Sequence, residues 1–461
     1  MRHLLLAALV IAAPVSAETL PDAIASAYST NPQIAAARAR LRQVDEGVPI
    51  AASGTRPQVN LDADFTQELS NRLGDRGQLF RGGVVLRQPI YEGGRVRAGI
   101  SAAQARIAAA RADLRAAEFA VIVDTATAYS DVLRAEALVR LNDGQVKVLD
   151  QQLRASRDRF EVGDLTRTDV AQSEARLAAA RANLQGALGQ QVVARQAFQR
   201  LVGRPPVNLA PLPPLPPTPA TADDARSIAF TANPSIEAAR FIEKAAAEDV
   251  RAVRAGRGAS VGLQAGARYI HGAGDLSGLS GFSPDLAVTA GLPLFTGGLI
   301  AAQVRQAQAR QSEALEQITQ IERLVSEAAT DNWALLRTSE TLIESAMVQV
   351  DANALAAEGV RQENQVGSRD ILDVLNAEQE LLNARVALIQ AERDRYVNAY
   401  RLLESMGEIE TVLTGVPVGR YDPAANARRV AGMGWSEFGY DPDPRLDRTK
   451  NLPAPVMGPL Q

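Results

Sequence analysis

The sequence has no cysteine. That excludes disulfides, thiolate metal sites and thiol nucleophiles, and also a lipid anchor on an N-terminal cysteine. Histidine is nearly absent as well: His3 and His271 are the only two. Beyond the N-terminal leader described below only His271 remains, so neither a zinc site nor a Cys/His pair is open to the chain, and serines have no histidine base nearby. Aromatic residues make up only 4% of the chain, so little of the fold rests on a large aromatic core. Charge of one sign is lacking too. A net charge of −4 carries no nucleic-acid footprint. No metal or cofactor is expected from this composition; acid-pair hydrolysis is open to it but would need a cleft-forming domain, and the sequence offers none, so no enzymatic activity is expected.

Long apolar runs are also missing. Arg2 and His3 precede an apolar stretch at residues 4–13, followed by Pro14 and Val15-Ser16-Ala17. Small residues at Val15-Ser16-Ala17 fit removal of a secretory leader, residues 1–17, after Ala17. The stretch is shorter than the ~20 apolar residues a spanning helix needs. Nothing downstream reaches 18 consecutive apolar residues, so no transmembrane helix is expected. Beyond the leader the chain is either periplasmic or a membrane barrel.

The sequence is written twice. Asn31-Pro32 recurs as Asn233-Pro234, an offset of 233 − 31 = 202. Pro89-Ile90-Tyr91-Glu92-Gly93-Gly94 recurs as Pro293-Leu294-Phe295-Thr296-Gly297-Gly298, an offset of 293 − 89 = 204. Gln104-Ala105-Arg106, Val162-Gly163 and Asp169-Val170 return at that same offset, as Gln308-Ala309-Arg310, Val366-Gly367 and Asp373-Val374. A constant offset over so long a stretch marks two equivalent halves, 18–203 and 220–410. Between them, 204–219 is proline-rich and reads as an extended, semi-rigid linker. From 411 to 461 the pattern stops, and Asp-Pro and Pro-Ala-Pro segments predict an irregular tail.

Proline is absent from residues 90–204 and 294–416, and these are the helical tracts. In the first, Val96, Ile100, Ala103, Ile107, Ala110, Leu114, Ala117 and Val121 are spaced alternately four and three, a heptad seam with alanines that permit close approach. The first break after Gly94 is Val162-Gly163-Asp164. A helix of that length runs roughly 100 Å at ~1.5 Å per residue. A return helix carries Val170, Leu177 and Leu184, echoed by Val374, Leu381 and Leu388. It is about half as long, so the helical stretch after Pro32, and that after Pro234, must cover the other half.

Between these helices the period changes to two. Val59, Leu61, Ala63 and Phe65 alternate with Gln58, Asn60, Asp62, Asp64 and Thr66. Val84, Leu86 and Ile90 supply a second strand, Val261 to Tyr269 a third, and Leu286 to Leu294 a fourth. Such alternation is that of a barrel strand, apolar towards lipid and polar towards water. Loops are expected at 69–79 and 271–283. A membrane barrel takes at least eight strands, so four per chain require several chains. The competing reading, a structural coiled-coil envelope protein or adhesin, has no use for these strands.

Taken in order and twice over, these residues resemble the TolC family of outer-membrane factors. The marks are Asn31-Pro32, the Pro89–Gly94 segment, Arg159-Phe160-Glu161-Val162-Gly163 with Thr168-Asp169-Val170, and, in the second half, Val366-Gly367-Ser368-Arg369 with Ile371-Leu372-Asp373-Val374-Leu375. The resemblance implies a mainly α chain with membrane β: a long α-helical coiled-coil barrel continuous with a 12-stranded β-barrel shared by a homotrimer. It implies an export channel in the outer membrane of a Gram-negative bacterium, for efflux or type I secretion. The implied partners are a periplasmic adaptor, an inner-membrane RND or ABC transporter and outer-membrane lipid.

The resemblance also implies site residues. Val162, Gly163 and Asp164 in one tip, and Val366, Gly367 and Ser368 in the other, match the turn that docks on the adaptor. Asp169 matches an aspartate that latches the closed tips, Arg369 a gating arginine and Asp373 an entrance-ring aspartate. Two positions depart from the pattern: Asn376 replaces a second ring aspartate and Asn364 a gating tyrosine. The residues admit another reading as well, in which Asp169 caps a helix with Gln172 three residues on, and Asp370 caps its counterpart.

Overall fold

The computed structural model describes residues 17–68, 77–274 and 276–432. The leader, apart from Ala17, lies outside them, as do most of the first expected loop and residues 433–461 of the tail. The chain opens with α1 (Leu20–Thr30), α2 (Pro32–Asp45) and α3 (Gly47–Ser53). Strands β1 (Gln58–Glu68) and β2 (Gly77–Glu92) lead into α4 (Arg95–Glu161), which reverses into α5 (Arg167–Val202). The plan then recurs as α6 (Ala222–Ala232), α7 (Pro234–Ala255), β3 (Ser260–Gly274), β4 (Gly281–Gly291), α8 (Leu299–Gln365) and α9 (Ile371–Met406). Two short helices follow, α10 (Ile409–Thr414) and α11 (Ala425–Gly432).

α4 and α8 both have 67 residues, and their starts differ by 299 − 95 = 204. α5 and α9 both have 36, again offset by 371 − 167 = 204. At ~1.5 Å per residue the long helices span about 100 Å. The half-lengths beside α4 are α5 at one end and, at the other, α2 with α3 on one flank and α7 on the other. α7 is continuous, whereas its counterpart breaks between α2 and α3, where Pro49 has no N–H to give the Asp45 carbonyl.

The repeated Asn-Pro pair is a joint. Asn31 Oδ1 accepts from Gln33 N at 2.8 Å and caps α2, while its Nδ2 donates to the Leu201 carbonyl at 3.1 Å, near the end of α5. Asn233 does the same with Ser235 N and the Ser405 carbonyl, both at 2.8 Å. Proline at the first helical position lacks only an N–H that would have no partner there. Gly203 and Gly407 end α5 and α9 with φ of +87° and +79°, and a Cβ on Gly407 would lie 2.3 Å from the Ala232 carbonyl oxygen.

These joints frame the main core, where the middle of α4 meets α1 and the ends of α5 and α9. Tyr129 is fully buried, with its hydroxyl 2.8 Å from the Glu18 carbonyl and 2.7 Å from that of Ala210. The 204–219 segment has no helix; Leu209, Leu212 and Leu215 pin it to this core, and the Pro219 carbonyl accepts from Trp333 Nε1 at 3.2 Å.

The tail differs from expectation. Residues 411–432 are not irregular: they carry most of α10 and all of α11. Asn426 Nδ2 donates to Asp45 at 2.8 Å, and the Arg38 guanidinium lies between the Tyr28 and Tyr421 rings, 4.6 and 4.8 Å from their centres. Helices this short have no seam to read, and tertiary contacts make them.

The strands form one antiparallel sheet in the order β1-β2-β3-β4. They are continuous in sequence with α3, α4, α7 and α8, which pack in that same order. Among the described residues, the outer edges of β1 and β4 have no strand partner in the single chain. The strands run longer than expected at their tips: residues 77–79, 271–274 and 281–283 belong to β2, β3 and β4, with a 3-10 turn at Ser277–Leu279. At the other end β4 stops at Gly291, leaving Leu292 and Leu294 outside it, because no strand lies on its far side.

Candidate functional site: the hairpin tips and the sheet wall

The two tips are built alike. α4 ends in a Schellman turn: Gly163 has φ +85°, Gly163 N donates to the Phe160 carbonyl at 3.0 Å, and Asp164 N to that of Arg159 at 2.8 Å. α8 ends the same way through Gly367, φ +78°, with Ser368 N donating to the Glu363 carbonyl at 2.9 Å. Both turns push a valine outward: Val162 is 76% exposed and Val366 80%.

Each hairpin is braced by an arginine–glutamate pair, Arg157–Glu174 at 2.6 Å and Arg361–Glu378. Both residues recur at the 204 offset, so the repeat itself carries the signal for this brace. Beneath lies a core of Leu149, Leu153, Leu177, Ile371, Val374 and Leu375, which joins the two hairpins.

The expected gate residues fall into two groups. Arg369 Nε contacts Glu363 at 2.8 Å, and its Nη1 contacts Asp373 at 3.5 Å, so these two gate positions meet. Asp169 stands apart, engaged with Thr166: its Oδ2 accepts from Thr166 N at 2.9 Å and Oγ1 at 2.7 Å, while its own N–H donates back at 3.3 Å. These bonds, the hydroxyl's first, hold its carboxyl below the usual aspartate range. Asp169 therefore belongs to a capping box, but as the third residue, with Thr166 rather than Asp169 as the cap. Asp370 does cap α9, accepting from Leu372 N at 3.4 Å.

The two departures from the family pattern both bridge the hairpins. Asn364 is buried; it accepts from Arg159 Nη1 at 3.3 Å and donates to the Arg369 carbonyl at 2.8 Å. Asn376 accepts from Arg176 at 3.0 Å. Asn364 thus uses both halves of its amide, whereas Asn376 only accepts, as a carboxylate in its place would.

At the far end the sheet has two unlike faces. The register places Val59, Leu86, Ala265 and Leu286 in one row, and Leu61, Val84, Ala267 and Pro284 in the next. Leu61 and Leu286 are 78% and 74% exposed, so this apolar face is uncovered. The opposite face carries Gln58, Asn60, Asp62 and Asp64 on β1, and Arg81 and Arg87 on β2. Arg81 bridges Asp64 at 3.3 Å. A flat apolar face of this extent has no use in water and suits contact with hydrocarbon.

Comparison with known proteins agrees. A sequence model of the outer membrane efflux protein family matches residues 23–204 and 226–408. The outer membrane efflux protein BepC of Brucella suis biovar 1 is 30% identical over 417 residues, spanning 90% of each chain. The alkaline protease secretion protein AprF of Pseudomonas aeruginosa is 28% identical, over 69% of this chain and 67% of its own. The crystal structure of the outer membrane protein VceC from Vibrio cholerae superposes with a TM-score of 0.72 at 24% identity, over 84% of this chain and 96% of that one. The chain belongs to the outer membrane efflux protein family, the TolC family whose pattern its sequence carries, and is an export channel of the Gram-negative outer membrane.

Proposed function

We propose that three copies close into one duct, a 12-stranded barrel in the outer membrane continuous with a periplasmic tube of helices. The observation that carries this reading is the four-stranded sheet with two open edges and an apolar outer face. Four strands are half the number of the smallest membrane barrels, and pairing β1 of one copy with β4 of the next satisfies both edges. The chain is then two repeats, 18–203 and 220–410, strapped together by 204–219. The duct performs no chemistry; energy comes from an inner-membrane RND or ABC transporter through a periplasmic adaptor. The exposed tips, Val162, Gly163 and Asp164 with Val366, Gly367 and Ser368, are the adaptor's contact.

The gate lies at the same end. Six carboxylates from Asp169 and Asp373 surround the opening, and Arg369 holds each Asp373 in place. Charge focused in a narrow, low-dielectric mouth favours cations.

The test is mass measurement in mild detergent followed by planar-bilayer recording. A trimer with small closed-state conductance is expected. Arg369→Ser should raise that conductance, and Asp373→Ala should weaken block by trivalent cations. A stable monomer would remove the duct; unchanged conductance and block in both variants would remove the gate while leaving the duct.

A further inference from the structure

Where the barrel meets the helices, the polar face of the sheet holds a recess of about 360 Å³. Its floor is low because Gly262 and Gly291 carry no side chains, and Ser260 and Thr289 sit opposite them across the β3–β4 ladder. Arg87 and Gln264, paired across β2 and β3, stand at its side. Arg87 is exposed and, among the described residues, has no hydrogen-bond or ion-pair partner. Its cross-strand neighbours, Gln58 and Gln264, are uncharged. The one carboxylate lining the recess, Glu92, is held by Arg95, whose Nε is 2.9 Å away. Two further arginines share this face: Arg81 is taken by Asp64, and Arg268 stands on β3 opposite Gly83, outside the recess.

The Ser260 and Thr289 hydroxyls donate across the ladder to the Gly291 and Gly262 carbonyls, at 3.4 and 3.3 Å, so the donors the recess offers an oxyanion are the free guanidinium and the primary amide beside it. We infer that Arg87 and this recess form an anion-recognising station on the duct wall, which selects cargo bearing carboxylate or phosphate groups. The inference rests on the duct reading, which puts this face inside the barrel. Threefold symmetry then sets three Arg87 guanidiniums at one level, opposite in sign to the gate carboxylates at the other end of the duct. Anionic cargo is repelled at the mouth and drawn onward once past it.

The test uses the full-length protein in planar bilayers. Reversal potentials in a KCl gradient give the chloride-to-potassium permeability ratio, and inorganic pyrophosphate serves as the anion probe. Arg87→Gln should lower the ratio roughly twofold or more and abolish the pyrophosphate-induced reduction in current. Arg87→Lys should keep most of both. Wild-type selectivity and pyrophosphate response in Arg87→Gln would overturn the station. So would an equal loss in Arg268→Gln, which would make Arg87 one wall charge among several. A wild type that does not conduct would remove the duct itself, and the station with it.

Discussion

The side-chain amide of Asn233 donates to the Ser405 carbonyl over 2.8 Å, reaching 172 residues along the chain to stitch the start of α7 to the end of α9. Ser405 is among the last carbonyls of its helix, and these have no partner within it. Asn233→Ala leaves that buried acceptor unsatisfied, at a cost of about 1–3 kcal/mol. The thermal dissociation temperature of the purified assembly should fall, and Asn233→Asp, which keeps the cap but loses the donor, should fall nearly as far.

The two faces of the sheet predict opposite tolerance to charge. Leu286→Arg places a cation on the uncovered apolar face, which costs roughly 2–4 kcal/mol at the midplane of a bilayer. Asn60→Asp, one residue from Leu61 but on the polar face, should have little effect. Yield of heat-resistant oligomer from outer membranes checks both.

The Thr166–Asp169 box sets a pH limit on the first tip. Because the carboxyl of Asp169 is held below its usual value, its contribution is present above the unfolded value of ~3.9 and is lost as pH falls through the lower folded value. Conductance of the wild type and of Asp169→Asn should therefore differ at neutral pH and converge only in strong acid. Thr166→Val removes the leading cause of the depression, so convergence should move to higher pH.

Glu118 behaves in the opposite sense. Burial pushes its carboxyl up, and bonds from Tyr28 and Arg38, the latter at 3.2 Å, only partly offset this. For a raised carboxyl, stability is greatest below the unfolded value of ~4.3 and declines as pH rises through the folded value. Glu118→Gln should flatten that decline, which thermal unfolding from pH 4 to pH 8 measures. A steeper decline in the variant would show that the Arg38 pair outweighs desolvation.

Much of this architecture is legible in residue order because long helices and barrel strands obey simple periods. Leu177 and Leu381 lie buried where the return-helix stripe puts them. The seam read on α4 is only half of its packing. Ala102, Ala105, Ala109 and Ala112 form a second buried row, because α4 has neighbours on both flanks. Alanine rows are weak signals in an alanine-rich helix. The tail helices were illegible for a different reason: stacking of Tyr421 on Arg38 joins residues far apart in sequence. At the tips, the Asp169–Gln172 spacing predicts a capping box one turn later than the Thr166–Asp169 box that forms. Thr166 and Asp169 satisfy the same spacing as Asp169 and Gln172, and only backbone geometry separates the two.

The unpaired edges of β1 and β4 also bear on inheritance. On the three-chain reading every seam of the barrel needs a sound edge from two different copies, so one faulty β4 leaves the wall open for all three. A cell making equal amounts of intact and edge-defective chains would assemble only about one duct in eight from intact copies alone. Alleles that damage β1 or β4 should thus act dominantly, whereas alleles that stop the chain from folding at all should be recessive.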